Sequence, residues 1–245
     1  MISAGLSAGV AMAHSETVER ILDAAEQLFA ERGFTETSLR MITTKAGVNL
    51  AAVNYHFGSK KALIHEILAR FLTPFCQGLD AELTRRQHVA GDDVLTLEEL
   101  LELLVQQALR VEPRLGNHLA VFMRLLGLAL IQDEGHLRQY LDDKYGKVYR
   151  RYMQLFNQAA PPIPPLELFW RVHFMLGAMA FSMAGIQSLG RVVENRFEVA
   201  TSSEQVLKLL VPFMAAGIRA DAALHDATLI AARPCADAKL SQHGK

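Results

Sequence analysis

The sequence predicts an all-α protein, and three observations support that fold class. Apolar residues recur at helical spacing in successive segments of the 245-residue chain. No segment alternates apolar and polar residues as a half-buried strand does, and no internal repeat is evident. Glycine, proline and capping residues separate the segments in the pattern typical of helix ends. With 51% hydrophobic residues, the chain can bury one large core or two smaller ones.

The first segment of interest is a short helix followed by a tight turn. Thr37 or Ser38 can cap this helix, because both hydroxyls accept hydrogen bonds from free backbone N–H groups. The apolar positions end at Ala46, and Gly47 suits the left-handed residue that commonly follows a helix. A second helix is therefore expected to start within two or three residues of the first.

Asn49 is a suitable N-cap for that second helix, which Gly58 should end. Val53 and Phe57 are expected to face inward. Four residues are then left to face outward: Leu50, Ala51, Asn54 and Tyr55. The pattern is that of a helix-turn-helix, in which the second helix can enter the DNA major groove.

Charge is distributed unevenly around this pattern, although the net charge of the chain is only −1. Residues 16–36 include six acidic and two basic residues, whereas residues 37–61 include no acidic residue and four basic ones: Arg40, Lys45, Lys60 and Lys61. Lysines in the first turn of a helix are unfavourable unless an anion such as phosphate binds there. A solvated surface that is uneven by chance is the less favoured alternative, because the basic stretch coincides with the helix-turn-helix.

The segment from about Thr17 to Phe71 resembles the N-terminal domain of tetracycline-repressor-like (TetR) transcription regulators. The resemblance is carried by VERILDAAEQLFAERGF and TSLRMITTKAGVNLAAVNYHFGSKKAL. It implies a three-helix DNA-binding domain joined to a helical ligand-binding and dimerisation domain. It also implies a homodimer that binds a palindromic operator in double-stranded DNA.

The same resemblance implies which residues contact DNA. Phosphate contacts are expected at Thr37, Ser38, Arg40, Tyr55, His56 and Lys60. Base contacts are expected at Asn49, Leu50, Ala51, Ala52 and Asn54. The chain departs from the family pattern at Asn54, where tyrosine is usual, and at Leu50-Ala51, where Lys-Gly is frequent. Asn54 can pair with adenine through two hydrogen bonds, and Leu50 can meet a thymine methyl group.

The remainder of the chain is expected to form further helices. Capping boxes at Thr96 and Ser202 should open two of them. Others are expected at about 117–131, 135–159 and 166–190, and Pro74 should interrupt the helix that contains Phe71. The predicted organisation is a disordered extension at 1–14, with Met12 favoured over Met1 as the natural start, a DNA-binding domain at 15–72, an effector-binding and dimerisation domain at 73–222, and a flexible tail at 223–245.

The predicted helix at 166–190 has two interpretations. The 19 residues between Arg171 and Arg191 carry no formal charge unless His173 is protonated, and that length suffices for a membrane span. A helix that is apolar all round is also typical of a buried one, and its small residues and the lack of a second such segment favour burial. The family dimerises through its last two helices, which here are Leu166–Leu189 and Ser203–Ala220.

Three segments resemble the fatty-acid-responsive TetR-type regulators of pseudomonads: FMRLLGLAL, YGKVYRRYM and ELFWRVHFMLGAMAFSMAGI. This resemblance implies a long-chain fatty acid or acyl-CoA as effector. We expect an apolar cavity whose lining includes Phe122, Met123, Leu126, Phe174 and Met175, with Arg124 and His173 at the carboxylate. The alternative is that Arg124 lies on a polar edge or pairs with an acid such as Glu134, and it is favoured because most helix arginines extend to solvent.

No pattern of catalytic or metal-binding residues is present. Cys76 and Cys235 are far apart, and His65-Glu66 begins a zinc-protease motif that fails at position 69. Ser188 lacks the preceding glycine of a nucleophile elbow. The predicted protein is therefore cytoplasmic, non-enzymatic, free of cofactor and metal, and not membrane-bound. Two alternatives remain: a DNA-binding regulator without a small-molecule ligand, and an acyl-binding carrier without a DNA role.

Overall fold

The computed structural model describes residues 3–90, 95–111, 118–131 and 135–221. This part of the chain is helical with short connections and has no strand, which confirms the predicted all-α class. Its helices are α1 (Ser3–Glu36), α2 (Leu39–Ala46), α3 (Leu50–Phe57), α4 (Lys60–Ala90), α5 (Leu97–Arg110), α6 (His118–Ile131), α7 (Gly135–Ala159), α8 (Pro165–Ala184), α9 (Ile186–Phe197) and α10 (Ser203–Arg219). The predicted tail at 223–245 lies outside the described residues.

Helices α1 to α3 and the start of α4 form a small domain around one apolar core. The core side chains come from all four helices and include Phe29, Ile42, Val53, Leu63 and Leu68, all without solvent exposure. Their burial provides most of the free energy that holds α2 and α3 at a defined angle. This domain corresponds to the predicted DNA-binding domain.

Helix α1 has two features that the sequence analysis did not anticipate. Its backbone is helical from Ser3, through an alanine-rich segment that was expected to be disordered, and alanine has the highest intrinsic helix propensity. Near the other end, Gly33 leaves helical geometry with φ 83° and ψ 171°. Only glycine adopts such a backbone conformation readily, so the kink at Gly33 turns the chain towards α2.

Helix α4 continues through Pro74, so the prediction that this proline interrupts the helix was wrong. Proline inside a helix removes one backbone hydrogen bond and crowds the carbonyl one turn earlier. Helix α4 is packed along its length against α1, α5, α6 and α7, and this packing outweighs the local cost. The predicted boundary between residues 72 and 73 consequently falls inside a continuous helix that belongs to both domains.

Arg70 joins α4 to α1 through three carboxylates. Its guanidinium lies 2.5 Å from Glu19, 2.7 Å from Asp23 and 3.1 Å from Glu26. The Arg70 side chain is only 8% exposed and that of Glu26 only 5% exposed. Buried charges are tolerated when they are paired in this way, because removing one partner leaves the others uncompensated.

Helices α5 to α10 form the larger domain with the second half of α4. Helix α8 packs against α6 and α10, and α10 also packs against α5. The predicted capping boxes are present at Thr96 with Glu99 and at Ser202 with Gln205. Arg171 of α8 donates to the carbonyl oxygens of Ile218 (2.7 Å) and Ala220 (2.6 Å), and its charge is favourable at the C-terminus of α10.

The predicted helix at 166–190 is divided at Gly185 into α8 and α9, which meet at 71°. A side chain at Gly185 would begin 3.1 Å from the carbonyl oxygen of Phe181, so glycine suits this bend. None of the described helices has by itself the length and apolar composition of a membrane span. Helices α8 and α9 have the length and apolar composition of a span only when they are taken together as a bent pair.

We expect Arg70→Met to lower the free energy of unfolding by about 3–5 kcal/mol, because three carboxylates lose their shared partner in a largely buried place. Urea denaturation at pH 7 and fixed protein concentration measures this change. Arg85→Met on the same helix is the control. The Arg85 side chain is 60% exposed beside Glu82, so its loss should change the free energy of unfolding far less. Equal losses in the two variants would contradict the proposed role of Arg70.

Candidate nucleic-acid interface and effector cavity

The helix-turn-helix has the caps that its sequence predicts. The Oγ atom of Ser38 accepts a hydrogen bond from the Met41 backbone N–H (3.3 Å) at the start of α2. The Oδ1 atom of Asn49 accepts one from the Ala52 backbone N–H (2.8 Å) at the start of α3. These bonds satisfy N–H groups that have no partner within their own helix. The Asn49 oxygen is therefore engaged in capping, and its amide N–H groups remain for another partner.

Arg20 of α1 holds the turn between α2 and α3, a contact that the sequence did not predict. Its guanidinium donates to the carbonyl oxygens of Ala46 and Gly47, the latter at 2.9 Å. Gly47 has φ 65°, and a Cβ atom there would lie 2.9 Å from Arg20 Nη2. The left-handed backbone conformation favours glycine, and a larger residue would also displace the end of the Arg20 side chain.

Helix α3 exposes the face that its sequence predicts. Val53 is fully buried, whereas Leu50 is 39% exposed and Tyr55 is 79% exposed. Ala51 and Asn54 are also exposed, and Ala52 is partly exposed. An exposed face with leucine and tyrosine, on a helix held by caps and by a buried valine, is available for contact with another molecule.

The residues proposed for phosphate contacts lie around this face, with one exception. Ser38 and Arg40 are exposed at the start of α2, whereas His56 and Lys60 are partly exposed. The His56 ring meets the edge of the Tyr55 ring at a centroid distance of 5.2 Å. Lys60 Nζ lies 3.4 Å from the carbonyl oxygen of Thr35, so the lysine reaches back across the domain.

The exception is Thr37, for which a phosphate contact was the wrong expectation. Its side chain is fully buried, and its hydroxyl lies 2.8 Å from the Gly33 carbonyl oxygen and 3.2 Å from that of Leu28. The hydroxyl satisfies backbone groups at the kink of α1 and cannot reach an external phosphate. Burial of this kind depends on the packing of α1 against α2, which sequence spacing does not reveal.

The larger domain contains an apolar cavity of about 430 Å³ among α4, α5, α6, α7 and α8. Ligand pockets of small molecules typically measure about 300–1,000 Å³ and have mostly apolar linings. Helix α4 provides part of the wall through Phe71, Leu72 and Phe75. The Phe71 ring stacks on that of Phe122 from α6 at a centroid distance of 3.8 Å.

Four of the seven residues proposed for effector binding line this cavity: Phe122, Met123, Leu126 and Met175. The other three do not, and their assignment to the cavity was wrong. Arg124 is exposed on α6, as the alternative interpretation held, and Glu134 lies outside the described residues. Phe174 is 66% exposed, and the ring of His173 packs on Phe169, with Nδ1 2.7 Å from the Phe169 carbonyl oxygen. The cavity side of α8 and this outer side are different faces of one helix.

The polar groups of the cavity come instead from α4 and α7, and the sequence did not assign them to a site. The hydroxyls of Tyr145 and Tyr152 are paired with Thr73 Oγ1 (2.9 Å) and the Leu100 carbonyl oxygen (3.1 Å). Burial raises the pKa of Tyr145 to about 12 and that of the Cys76 thiol to about 11, so both are uncharged at neutral pH. The aromatic stripe of α7 was the available signal, since tyrosines at helical spacing face one side.

Two histidines and a tyrosine connect α4 to α7 between the cavity and the small domain. His65 Nε2 lies 3.2 Å from His136 Nδ1, and the His65 ring stacks on Tyr140 at 4.0 Å. The Tyr140 hydroxyl donates to the His65 carbonyl oxygen at 3.1 Å. Burial, followed by the nearby His136, lowers the pKa of His65. Within the described residues, no three His, Cys, Asp or Glu side chains are grouped as a metal site.

Comparison with protein families identifies both halves of this architecture. Residues 21–67, which include α2, the turn and α3, match the tetR family of bacterial regulatory proteins. Residues 102–217, which include the inner and outer sides of α8, match the tetracyclin repressor-like C-terminal domain. The chain belongs to the TetR family. Members of the family are regulatory proteins, so the expectation that this one is not an enzyme is confirmed.

Individual relatives of this TetR-family chain match only part of its length. Identity is 31% over 88 residues with the probable HTH-type transcriptional regulator YttP of Bacillus subtilis (strain 168), covering 36% of this chain and 40% of the relative. It is 44% over 52 residues with the HTH-type transcriptional repressor KstR2 of Rhodococcus jostii (strain RHA1), covering 21% and 26%. The chain thus matches less than half the length of these curated relatives.

A solved structure shares the fold over most of the chain. The crystal structure of an HlyIIR variant has a TM-score of 0.52 and 17% identity, covering 81% of this chain and 94% of that one. At this identity the likeness concerns the fold alone. Because 81% of this chain is covered, the shared fold includes the large domain as well as the small one.

The lowered pKa of His65 predicts a loss of stability in mild acid. The unfolded chain binds a proton near pH 6.5, whereas folded His65 binds it only at lower pH. The contribution of neutral His65 to the free energy of unfolding is therefore complete above about pH 6.5 and decreases as the pH falls below that value. Melting temperatures at pH 7.5 and 5.5 test this, and we expect a smaller acid-induced decrease in His65→Gln than in the unchanged protein. His88→Gln, at an exposed position of α4, is the control and should retain the full decrease.

Proposed function

We propose that this TetR-family protein is a homodimeric DNA-binding transcriptional regulator, mainly a repressor, that binds a palindromic operator. The observation that carries the proposal is the exposed face of α3. Helix α3 lies within the stretch from Thr37 to Lys61, which contains four basic residues and no acidic one. A capped helix with exposed polar side chains and neighbouring cations suits the major groove and its flanking phosphates.

Base recognition is proposed for the outer face of α3 and phosphate binding for its surroundings. Asn54 is exposed and can donate to and accept from adenine, and the side chain of Leu50 suits a thymine methyl group. Asn49, Ala51 and Ala52 lie at the end of the helix that would enter the groove. The proposed phosphate contacts are Ser38, Arg40, Tyr55, His56 and Lys60, and Thr37 is no longer among them.

Dimerisation is proposed through the outer faces of α8 and α10. Exposed large apolar residues accumulate there: Phe169, Trp170, Phe174, Phe181, Leu209 and Phe213. A monomer in water would leave this surface exposed at a considerable cost, and contiguous apolar patches of this kind are typical of interfaces. A two-fold axis across the patch presents two α3 helices to the two half-sites of a palindrome.

The proposed effector is a long-chain fatty acid or acyl-CoA that binds in the cavity. This effector class, and with it the control of fatty-acid-degradation and stationary-phase genes, is proposed from the sequence resemblance to the fatty-acid-responsive TetR-type regulators of pseudomonads. The size and apolar lining of the cavity are suited to an acyl chain. Because the operator is chromosomal, the protein would act in the cytoplasm.

Coupling between effector and operator is proposed to run along α4. Phe71 and Leu72 form part of the cavity wall, and Lys60 lies at the other end of the same uninterrupted helix. A ligand that displaces these walls would tilt α4 and move the small domain attached to it through Arg70. The effector releases the operator only if it binds the DNA-incompetent arrangement more tightly.

An electrophoretic mobility shift on the intergenic DNA upstream of the protein's own gene tests this proposal directly. Retardation that oleate abolishes and butyrate does not would support both the DNA function and the effector class. Retardation that is insensitive to both lipids would refute the effector class and leave the regulator. No retardation of this or any genome-selected fragment by folded dimer at low salt would refute the DNA function.

Substitutions at Lys60 and Asn54 should affect DNA binding differently. Lys60→Ala removes a phosphate contact, so it should weaken binding to all sequences and reduce the slope of the salt dependence by about one unit for each phosphate released. Asn54→Ala should instead relax base preference at one operator position, at a cost of about 1–3 kcal/mol. Binding titrations at several salt concentrations separate the two effects. Lys208→Ala on α10 is the control and should change neither; uniform effects of all three would contradict the assigned roles.

The proposed dimer interface predicts that substituting one exposed aromatic residue converts the dimer into a monomer. Phe174→Glu places a charge in the proposed apolar contact, so the protein should sediment as a monomer at micromolar concentration. Tyr55→Glu introduces the same charge on the 79% exposed side chain of α3 and should leave the dimer intact. Analytical ultracentrifugation measures both. A dimer of unchanged affinity in Phe174→Glu would rule out this face.

A further inference from the structure

The cavity extends to the surface beside α7, where its lining includes Asp142, Gly146 and Tyr149. Tyr149 is 59% exposed, which places this part of the lining at the mouth. Asp142 Oδ1 here meets Arg150 Nη1 at 2.8 Å, and both side chains are about two-thirds exposed (67% and 65%). A charged pair therefore lies where an otherwise apolar cavity meets water.

Gly146 explains how this pair can form. Asp142 and Arg150 are eight residues apart, which is about 12 Å along a helix, so both side chains must lie flat to meet. Gly146 lies midway between them. A Cβ atom at Gly146 would be 2.5 Å from Asp142 Oδ1 and 2.8 Å from Arg150 Nη1. The ion pair thus passes directly over a residue that lines the cavity, and the missing side chain provides the space.

The charges around the mouth determine which head group can bind. Among the described lining residues, Asp142 is the only charged one, and none is a lysine, arginine or histidine. An anionic head group therefore finds no cationic partner among the described lining residues. Two neighbouring cations of α7 are engaged elsewhere, since Lys144 Nζ lies 3.1 Å from the Tyr140 hydroxyl and Arg151 pairs with Asp80. Arg150 is the cation held directly against the lining.

We propose that Arg150 is the specificity-determining residue for an acyl effector and binds the ligand's carboxylate in place of Asp142. The proposal rests on the function proposed above, in which an acyl chain occupies the cavity. Exposed ion pairs contribute little to stability, so the exchange of one carboxylate for another costs little. The planar guanidinium can bind the incoming carboxylate through two parallel hydrogen bonds. The Asp142 carboxylate returns to water.

This arrangement predicts a preference for acids over neutral and cationic chains. Equilibrium binding of oleate, oleyl alcohol and oleylamine, each below its aggregation concentration, measures it. The unchanged protein should bind oleate about two- to fivefold more tightly than the alcohol, as expected for one exposed ion pair. In Arg150→Gln, oleate affinity should fall by about the same factor, to that of the alcohol, whose own affinity should stay the same. Asp142→Asn should bind oleate more tightly, because a competing carboxylate is removed.

Lys147→Gln is the matched control, because Lys147 is an exposed cation next to Gly146 on the same helix. It should leave oleate affinity unchanged, and the unliganded variants should melt within a degree or two of the unchanged protein. Unchanged oleate affinity in Arg150→Gln would overturn the proposal. Tightest binding of oleylamine would also overturn it, since Asp142 would then be the partner of the head group. Failure of all three chains to bind the unchanged protein would instead refute the proposed effector class, and with it the basis for this inference.

Discussion

The attachment of α4 to α1 through Arg70 is the constraint on which the rest of this structure depends. Helix α4 is one continuous helix, and the guanidinium of Arg70 is held by three carboxylates of α1 at 2.5–3.1 Å. Phe71 and Leu72, the next two residues along the chain, line the cavity of the large domain. The residues that line the cavity and the residue that anchors the small domain are thus consecutive, which is the basis for the proposed coupling along α4.

Contacts within the small domain fix the orientation of α3. Arg20 holds the turn, Asn49 caps the helix and Val53 buries its inner side, so that three independent contacts determine where the outer face lies. The side chains on that outer face, including those of Asn54 and Tyr55, are exposed. Such a division between a fixed backbone and exposed side chains is what recognition of DNA bases requires, because small displacements of the helix change which base edges are within reach.

The large domain uses α8 for two separate purposes. Val172 and Met175 face the cavity, whereas Phe169 and Phe174 face outward with the exposed residues of α10. A helix that is apolar all round can serve both sides at once, which also explains why its composition resembles that of a membrane span. A change in the cavity can consequently reach the proposed dimer contact within one helix diameter, in addition to the route along α4.

The amino-acid sequence alone was sufficient for the features that depend on neighbouring residues. Helix class, the caps at Ser38, Asn49, Thr96 and Ser202, and the turn glycine at Gly47 follow from local hydrogen bonding and backbone geometry, and the family resemblance identified the DNA-binding segment. The burial of Thr37, the continuity of α4 through Pro74, the bend at Gly185 and the outward positions of Arg124 and His173 depended on the tertiary structure. These features are set by packing between helices that are distant in sequence, and helical periodicity identifies an apolar face without specifying which neighbour covers it.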